Sequence, residues 1–168
     1  MWCGMQARGG ATGSCADHGD VKVVMRVSQD GTGANGTWGT IRVVANETGH
    51  TLGNPSPVVD ADGSGRVFCH FARDNADAFV SHSDDEGAHW TSPRPLDASV
   101  KYPGSGWYGS GVGGGIQLPA SSLSQGSESV GPAMASAAGG QATLMIMAEE
   151  RLGAAFNSVP IISTAGGA

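Results

Sequence analysis

Four residues stand out for what their side chains can do. Asp17 lies in the segment Cys15-Ala16-Asp17-His18-Gly19-Asp20, where a loop carboxyl can deliver a proton and take it back. On bare sequence it reads as a plain loop carboxylate beside Asp20. Arg8 is a charged donor, or a surface strand arginine. Asn54 precedes Pro55. Its amide donates and accepts, and the same residue type serves plain turn chemistry. Trp107 offers a flat apolar face that can stack on a ligand or pack its own loop.

Other patterns carry less. Asp60-Ala61-Asp62-Gly63-Ser64-Gly65 mimics the first half of a calcium loop, but its twelfth position is Phe71 rather than Glu. Strands rather than helices flank it, so it reads as a hairpin turn. Gly109, Gly111 and Gly114 satisfy G-x-G-x-x-G, but a strand follows the run and none precedes it, which describes a loop and not a dinucleotide site. The five histidines, at 18, 50, 70, 82 and 89, have no metal-ligand spacing. The three cysteines, Cys3, Cys15 and Cys69, are an odd count with no disulfide framework. No metal or organic cofactor is implied. Asn35-Gly36-Thr37 and Asn46-Glu47-Thr48 are glycosylation sequons, relevant only in a secreted chain.

The elements that would position these residues are strands. The chain has 168 residues, 28 of them glycine, and only 39% apolar residues. Abundant glycine, short apolar runs and few helical patterns indicate an all-β protein. Strands are expected over Asp20–Ser28, Thr40–Ala45, Pro57–Asp60, Arg66–Ala72, Ala78–Ser83 and Gly115–Leu118. Net charge is −6, with Lys+Arg 9 against Asp+Glu 15, and no basic cluster, which argues against nucleic acid as a partner. No apolar run approaches the roughly 18–20 residues of a membrane helix. The start, MWCGMQARGG, lacks the pattern of a signal peptide, and the compartment stays open.

The strongest organising signal is a repeat. Ser83-Asp84-Asp85-Glu86-Gly87-Ala88-His89-Trp90 fits S-x-D-x-G-x-x-W, and Ser28, Asp30, Gly36 and Trp38 repeat it with three extra residues before the Trp. The two serines are 55 residues apart, and a period near 50 with about four strands per unit describes a β-propeller blade. The box has a structural job. Its Ser and Asp oxygens accept backbone N–H groups within a tight turn, Gly takes positive φ, and Trp folds back over the turn.

At these residues the chain resembles the sialidase (neuraminidase) family, whose six-bladed propeller carries such Asp-boxes. Three further segments share the likeness: Ala7-Arg8 with Cys15 to Asp30, Gly53 to Asp60, and Trp107-Tyr108-Gly109-Ser110-Gly111 leading to Leu118. It implies a partial β-propeller of about two blades and the start of a third over residues 1–118. Residues 119–168 are a divergent Ala/Ser/Gly-rich tail, read as linker plus one element over Ala142–Glu150, strand or short helix. The resemblance implies an exo-α-sialidase, a retaining glycosidase that removes terminal sialic acid from glycoconjugates; an extracellular and a lysosomal parent both stay open. Asp17 then matches the acid/base, Arg8 and Asn54 the groups holding polar edges of the sugar, and Trp107 a stacking wall. In blades of this kind these residues converge on the face opposite the boxes.

The departures matter as much. The family clamps the sialate carboxylate with three arginines and attacks with a Tyr activated by a Glu, which avoids setting a carboxylate nucleophile against the substrate's own carboxylate. Neither the arginine triad nor the Glu/Tyr pair is matched here. Tyr102 and Tyr108 belong to the wrong blade, and Glu149, Glu150 and Arg151 carry no family role. The chain alone is therefore expected to be inactive. Two other readings stand beside this one: a non-catalytic Asp-box propeller that binds glycan or protein, and a structural remnant with open sheet edges.

Overall fold

The computed structural model describes residues 2–8, 19–32, 37–60, 64–96, 100–101, 104–110, 115–118, 143–152 and 155–164. Within these the elements are eleven strands: β1 (Trp2–Arg8), β2 (Val21–Val27), β3 (Arg42–Ala45), β4 (Leu52–Val59), β5 (Val67–Arg73), β6 (Asp77–Ser83), β7 (Arg94–Pro95), β8 (Trp107–Ser110), β9 (Ile116–Leu118), β10 (Thr143–Leu152) and β11 (Ala155–Thr164). They form three sheets, and every strand pair within them is antiparallel. The first has the order β1-β2-β3 and the second β4-β5-β6-β7. In the third, β8 and β9 both lie along β10, with β11 on its other side. The protein is all-β. Among the described residues no helix is long and apolar enough to cross a membrane, which leaves β-barrels aside.

The expected strands are present with modest shifts, and the informative differences have local causes. β4 begins at Leu52 rather than Pro57, because Gly53-Asn54-Pro55, which looks like a turn in sequence, is a bulge inside the strand. The pairing with β5 shifts register between Gly53 and Ser56, and Asn54 has φ 54. The undecided element near Ala142–Glu150 is a strand, β10, and a second ten-residue strand, β11, follows it. Because β9 pairs with β10 through Leu118↔Thr143, sheet hydrogen bonding crosses from residues 1–118 into residues 119–168.

β5 is the centre of the molecule. Six of its seven residues are buried, since both of its faces are covered. Cys69 and Phe71 join Val23, Met25, Val44, Ala45 and Leu52, which binds the second sheet to the first. Phe68 and Ala72 join Val58, Ala78, Val80, Leu96, Val100 and Tyr108, which binds it to β8 of the third. Fully burying such an apolar side chain contributes about 1.5–3 kcal/mol. The same burial pushes the Cys69 thiol up to about 12. His70, also on β5, is 1% exposed, and neither ring nitrogen has a hydrogen-bond partner.

Strand direction sorts the connections into two ends. The Ser28 box follows β2 and the Ser83 box joins β6 to β7, the third and fourth strands of the second sheet. At the opposite end lie the β1–β2 connection, the β3–β4 connection, the β5–β6 turn and the segment before β8. Arg8↔Val21 is the β1–β2 pair at that end, and Trp2↔Val27 the pair at the box end.

Candidate functional site

At the box end, bonds close turns on themselves. The Ser83 hydroxyl donates to Asp85 Oδ1 (2.8 Å) and accepts the Gly87 N–H (2.8 Å). Asp85 in turn accepts the His89 N–H at 2.8 Å and lies 2.6 Å from His89 Nδ1. Those two contacts from His89, with the Ser83 hydroxyl, hold the Asp85 carboxyl well below the usual carboxylate range. Glu86 and Gly87 both take positive φ, 57 and 78. In the other box the Ser28 hydroxyl donates to Asp30 Oδ1 (2.5 Å), and Asp30 accepts the Thr32 N–H (3.0 Å). Ser28 and Trp38 form an antiparallel bridge, and the Ser28 hydroxyl is the largest cause holding the Asp30 carboxyl well below the usual carboxylate range. Trp90 packs half-buried on the core of the first and second sheets. Gly36 lies outside the described residues.

At the opposite end, bonds run between distant segments. The Gly49 N–H donates to Asp20 Oδ1 at 2.5 Å, and the Thr51 hydroxyl donates to the Gly19 carbonyl at 3.1 Å. Asp74 accepts the Thr51 N–H at 2.9 Å and lies 2.6 Å from His50 Nδ1. Burial alone would raise the Asp74 carboxyl, but the Thr51 amide and His50 outweigh it and hold it below the usual range. Arg73 bonds Asp77 at 2.8 Å and Glu47 at 3.3 Å, with its guanidinium 4.8 Å from the centre of the Phe79 ring. Lys101 donates to the Ala76 carbonyl, and the Tyr108 N–H donates to the Asn75 carbonyl at 2.7 Å.

Two of the four chemistry-bearing residues meet here. Asn54 on β4 and Trp107 on β8 both press on Gly109. A Cβ built there would lie 2.7 Å from Trp107 Cη2 and 2.9 Å from Asn54 Nδ2. The Ser110 hydroxyl donates to the Asn54 carbonyl at 2.7 Å. Both candidate side chains are half-buried, so an indole and an amide share one partly open surface. The β1 backbone puts Arg8 at this end, opposite Val21. Asp17 lies outside the described residues, although its loop returns through Gly19 and Asp20, which bond to the β3–β4 connection. His50 and Asp74 get no role from sequence reasoning, and Gly109 and Ser110 enter it only as members of the Trp107–Gly111 segment, since no spacing ties residues so far apart in the chain.

Among the described residues no group of three His, Cys, Asp or Glu side chains is placed to hold a metal ion. The calcium-loop mimic sits between β4 and β5, where the Asp60 N–H donates to the Arg66 carbonyl at 2.8 Å. Its residues 61–63 lie outside the described residues, as do 111–114 of the glycine run; contrary to the sequence reading a strand does lead into that run, β8, which ends at Ser110.

Comparison with known proteins defines the class first. The structure matches the Hadza microbial sialidase Hz136 with a TM-score of 0.64 and 17% identity, over 90% of this chain and 30% of that one. That likeness carries the fold: these are sheets of a sialidase-type propeller. The model of the BNR repeat-like domain family matches residues 5–149, and the chain belongs to that family. It is also 28% identical to an exo-alpha-sialidase of Arthroderma benhamiae, over 64% of this chain and 33% of the relative. The chain thus spans about a third of the length of these two proteins.

Proposed function

We propose that this chain carries the sugar-edge part of an exo-α-sialidase site, at the end of the sheets opposite the boxes. Its ligand is a terminal α-linked sialic acid on a glycoprotein, glycolipid or oligosaccharide. Asn54 donates and accepts at the polar edge of the sugar, Trp107 walls its apolar side, Arg8 adds a charged donor, and Asp17 is the acid/base for the leaving oxygen. The single observation that carries this reading is the meeting of Asn54 and Trp107 over Gly109 at that end. Sialidase relatives by sequence and by fold support it.

The chain by itself binds and does not turn over. A retaining sialidase needs an accessible Tyr nucleophile, and of the two tyrosines here Tyr108 is 1% exposed within the core while Tyr102 lies outside the described residues. The test pairs two assays on the purified chain. One follows release of the fluorophore from a fluorogenic α-sialoside. The other follows saturation transfer to sialyllactose by NMR. The expected outcome is saturation transfer that falls in Asn54→Ala, with no fluorophore release. Release abolished by Asp17→Asn would overturn the claim of inactivity. Absence of saturation transfer would overturn the sugar reading and favour a propeller module that binds protein.

A further inference from the structure

Resting on the reading of Asn54 and Trp107 as sugar-contacting residues, we propose that Gly109 and Ser110 are the positioning residues of that site. The glycine gives the amide and the indole a shared floor. The serine fixes the backbone that carries the amide.

Asn54 is held in an uncommon conformation. Its φ of 54 lies in the left-handed region, where Asn is better tolerated than most residues but still unfavourable. Such a conformation persists when its surroundings fix it. Here the fixing group is the Ser110 hydroxyl, 2% exposed, which reaches from the third sheet to the Asn54 carbonyl in the second. The bulge between Gly53 and Ser56 is the local break in pairing that re-aims a side chain. The adjoining Tyr108 N–H, bonded to the Asn75 carbonyl at 2.7 Å, keeps β8 seated on the second sheet.

Gly109 is required for space. Its backbone is not among those with positive φ, so conformational freedom does not explain it. A Cβ would meet Trp107 Cη2 at 2.7 Å, Asn54 Nδ2 at 2.9 Å and Trp107 Cζ3 at 3.2 Å. An added methyl must therefore displace the indole, the amide or both. Asn54 and Trp107 thus form one preorganised wall, and the residues that set it touch no ligand themselves.

The experiment uses the full chain, labelled with ¹⁵N, as wild type, S110A, S110T and G109A, with α-2,3-sialyllactose as the probe. In S110A and G109A the Asn54 side-chain amide and Trp107 indole resonances should move, with sialyllactose affinity falling roughly tenfold or more. The Trp90 indole resonance should hold still. S110T, which keeps the hydroxyl, should return the Asn54 and Trp107 resonances and the affinity towards wild type. A purely structural strap would lower stability in S110A without this joint response. If S110A does not fold, G109A, which removes no hydrogen bond, decides by the same resonances. Folded S110A and G109A with wild-type Asn54 and Trp107 resonances and affinity would overturn the proposal. If the wild type binds no sialyllactose while those resonances move in the variants, the sugar reading fails and the positioning stands.

Discussion

The two ends of these sheets are built differently. At the box end Ser83, Asp85, Gly87 and His89 bond within one turn, and Ser28, Asp30 and Thr32 do the same. At the opposite end Asp20 reaches Gly49, Thr51 reaches Asp74 and Ser110 reaches Asn54, across separations of 29, 23 and 56 residues. A turn closed mainly on itself leans less on its neighbours, which here add the exposed contacts of Arg42 to the Glu86 carbonyl and of Arg66 to Asp84, and the packing of Trp90. An end assembled from four distant segments exists only when the sheets have docked. The first kind of structure suits a repeated structural module, the second a site.

The largest effect should strike both ends together. Phe71 is 1% exposed and stacks on Phe79 with ring centroids 6.0 Å apart, so Phe71→Ala should cost about 3–5 kcal/mol in denaturant unfolding. Acid should act on the same central strand. Burial first, and the charge of Arg94 second, lower His70 from 6.5 to about 4. The unfolded chain then binds a proton that the folded chain refuses, so the stabilising difference is whole above pH 6.5 and is lost as pH falls towards 4. Roughly 3 kcal/mol should disappear over that window, and His70→Leu should remove the slope.

Smaller changes separate the ends. Ser83 is 2% exposed and serves both Asp85 and Gly87, so Ser83→Ala should cost about 1–2 kcal/mol. Hydrogen exchange should quicken around residues 83–90 and nowhere else. Asp74→Ala should cost about 1 kcal/mol, yet quicken exchange at Thr51 and in the 74–76 turn together. Exchange that spread equally widely in both variants would remove the distinction between the ends. Arg66 pairs with the exposed Asp84 at 2.5 Å, and Arg66→Ala should change stability by less than about 1 kcal/mol.

The same contrast explains what was legible in the sequence. The box turns were readable because their partners lie within a few residues and leave a pattern of Ser, Asp, Gly and Trp. The central strands were readable because Val67–Arg73 is a short, largely apolar run bounded by Gly, Asp and Asn. The bulge at Asn54 was hidden, since Gly-Asn-Pro carries turn chemistry whether it ends a strand or kinks one. β10 was ambiguous because Leu144 to Ala148 is apolar throughout and shows neither period. β1, β7, β8 and β11 were unmarked. The convergence of Asn54 and Trp107 came from blade order supplied by the family resemblance. The floor beneath them, Gly109 and Ser110, leaves no trace in spacing.

The most direct test of the central claim is a chemical-shift map of the ¹⁵N-labelled chain titrated with α-2,3-sialyllactose. The account expects saturable shifts at Asn54, Trp107 and Gly109, with the box tryptophans Trp38 and Trp90 unmoved. Shifts centred on the boxes, or none at all, would contradict it.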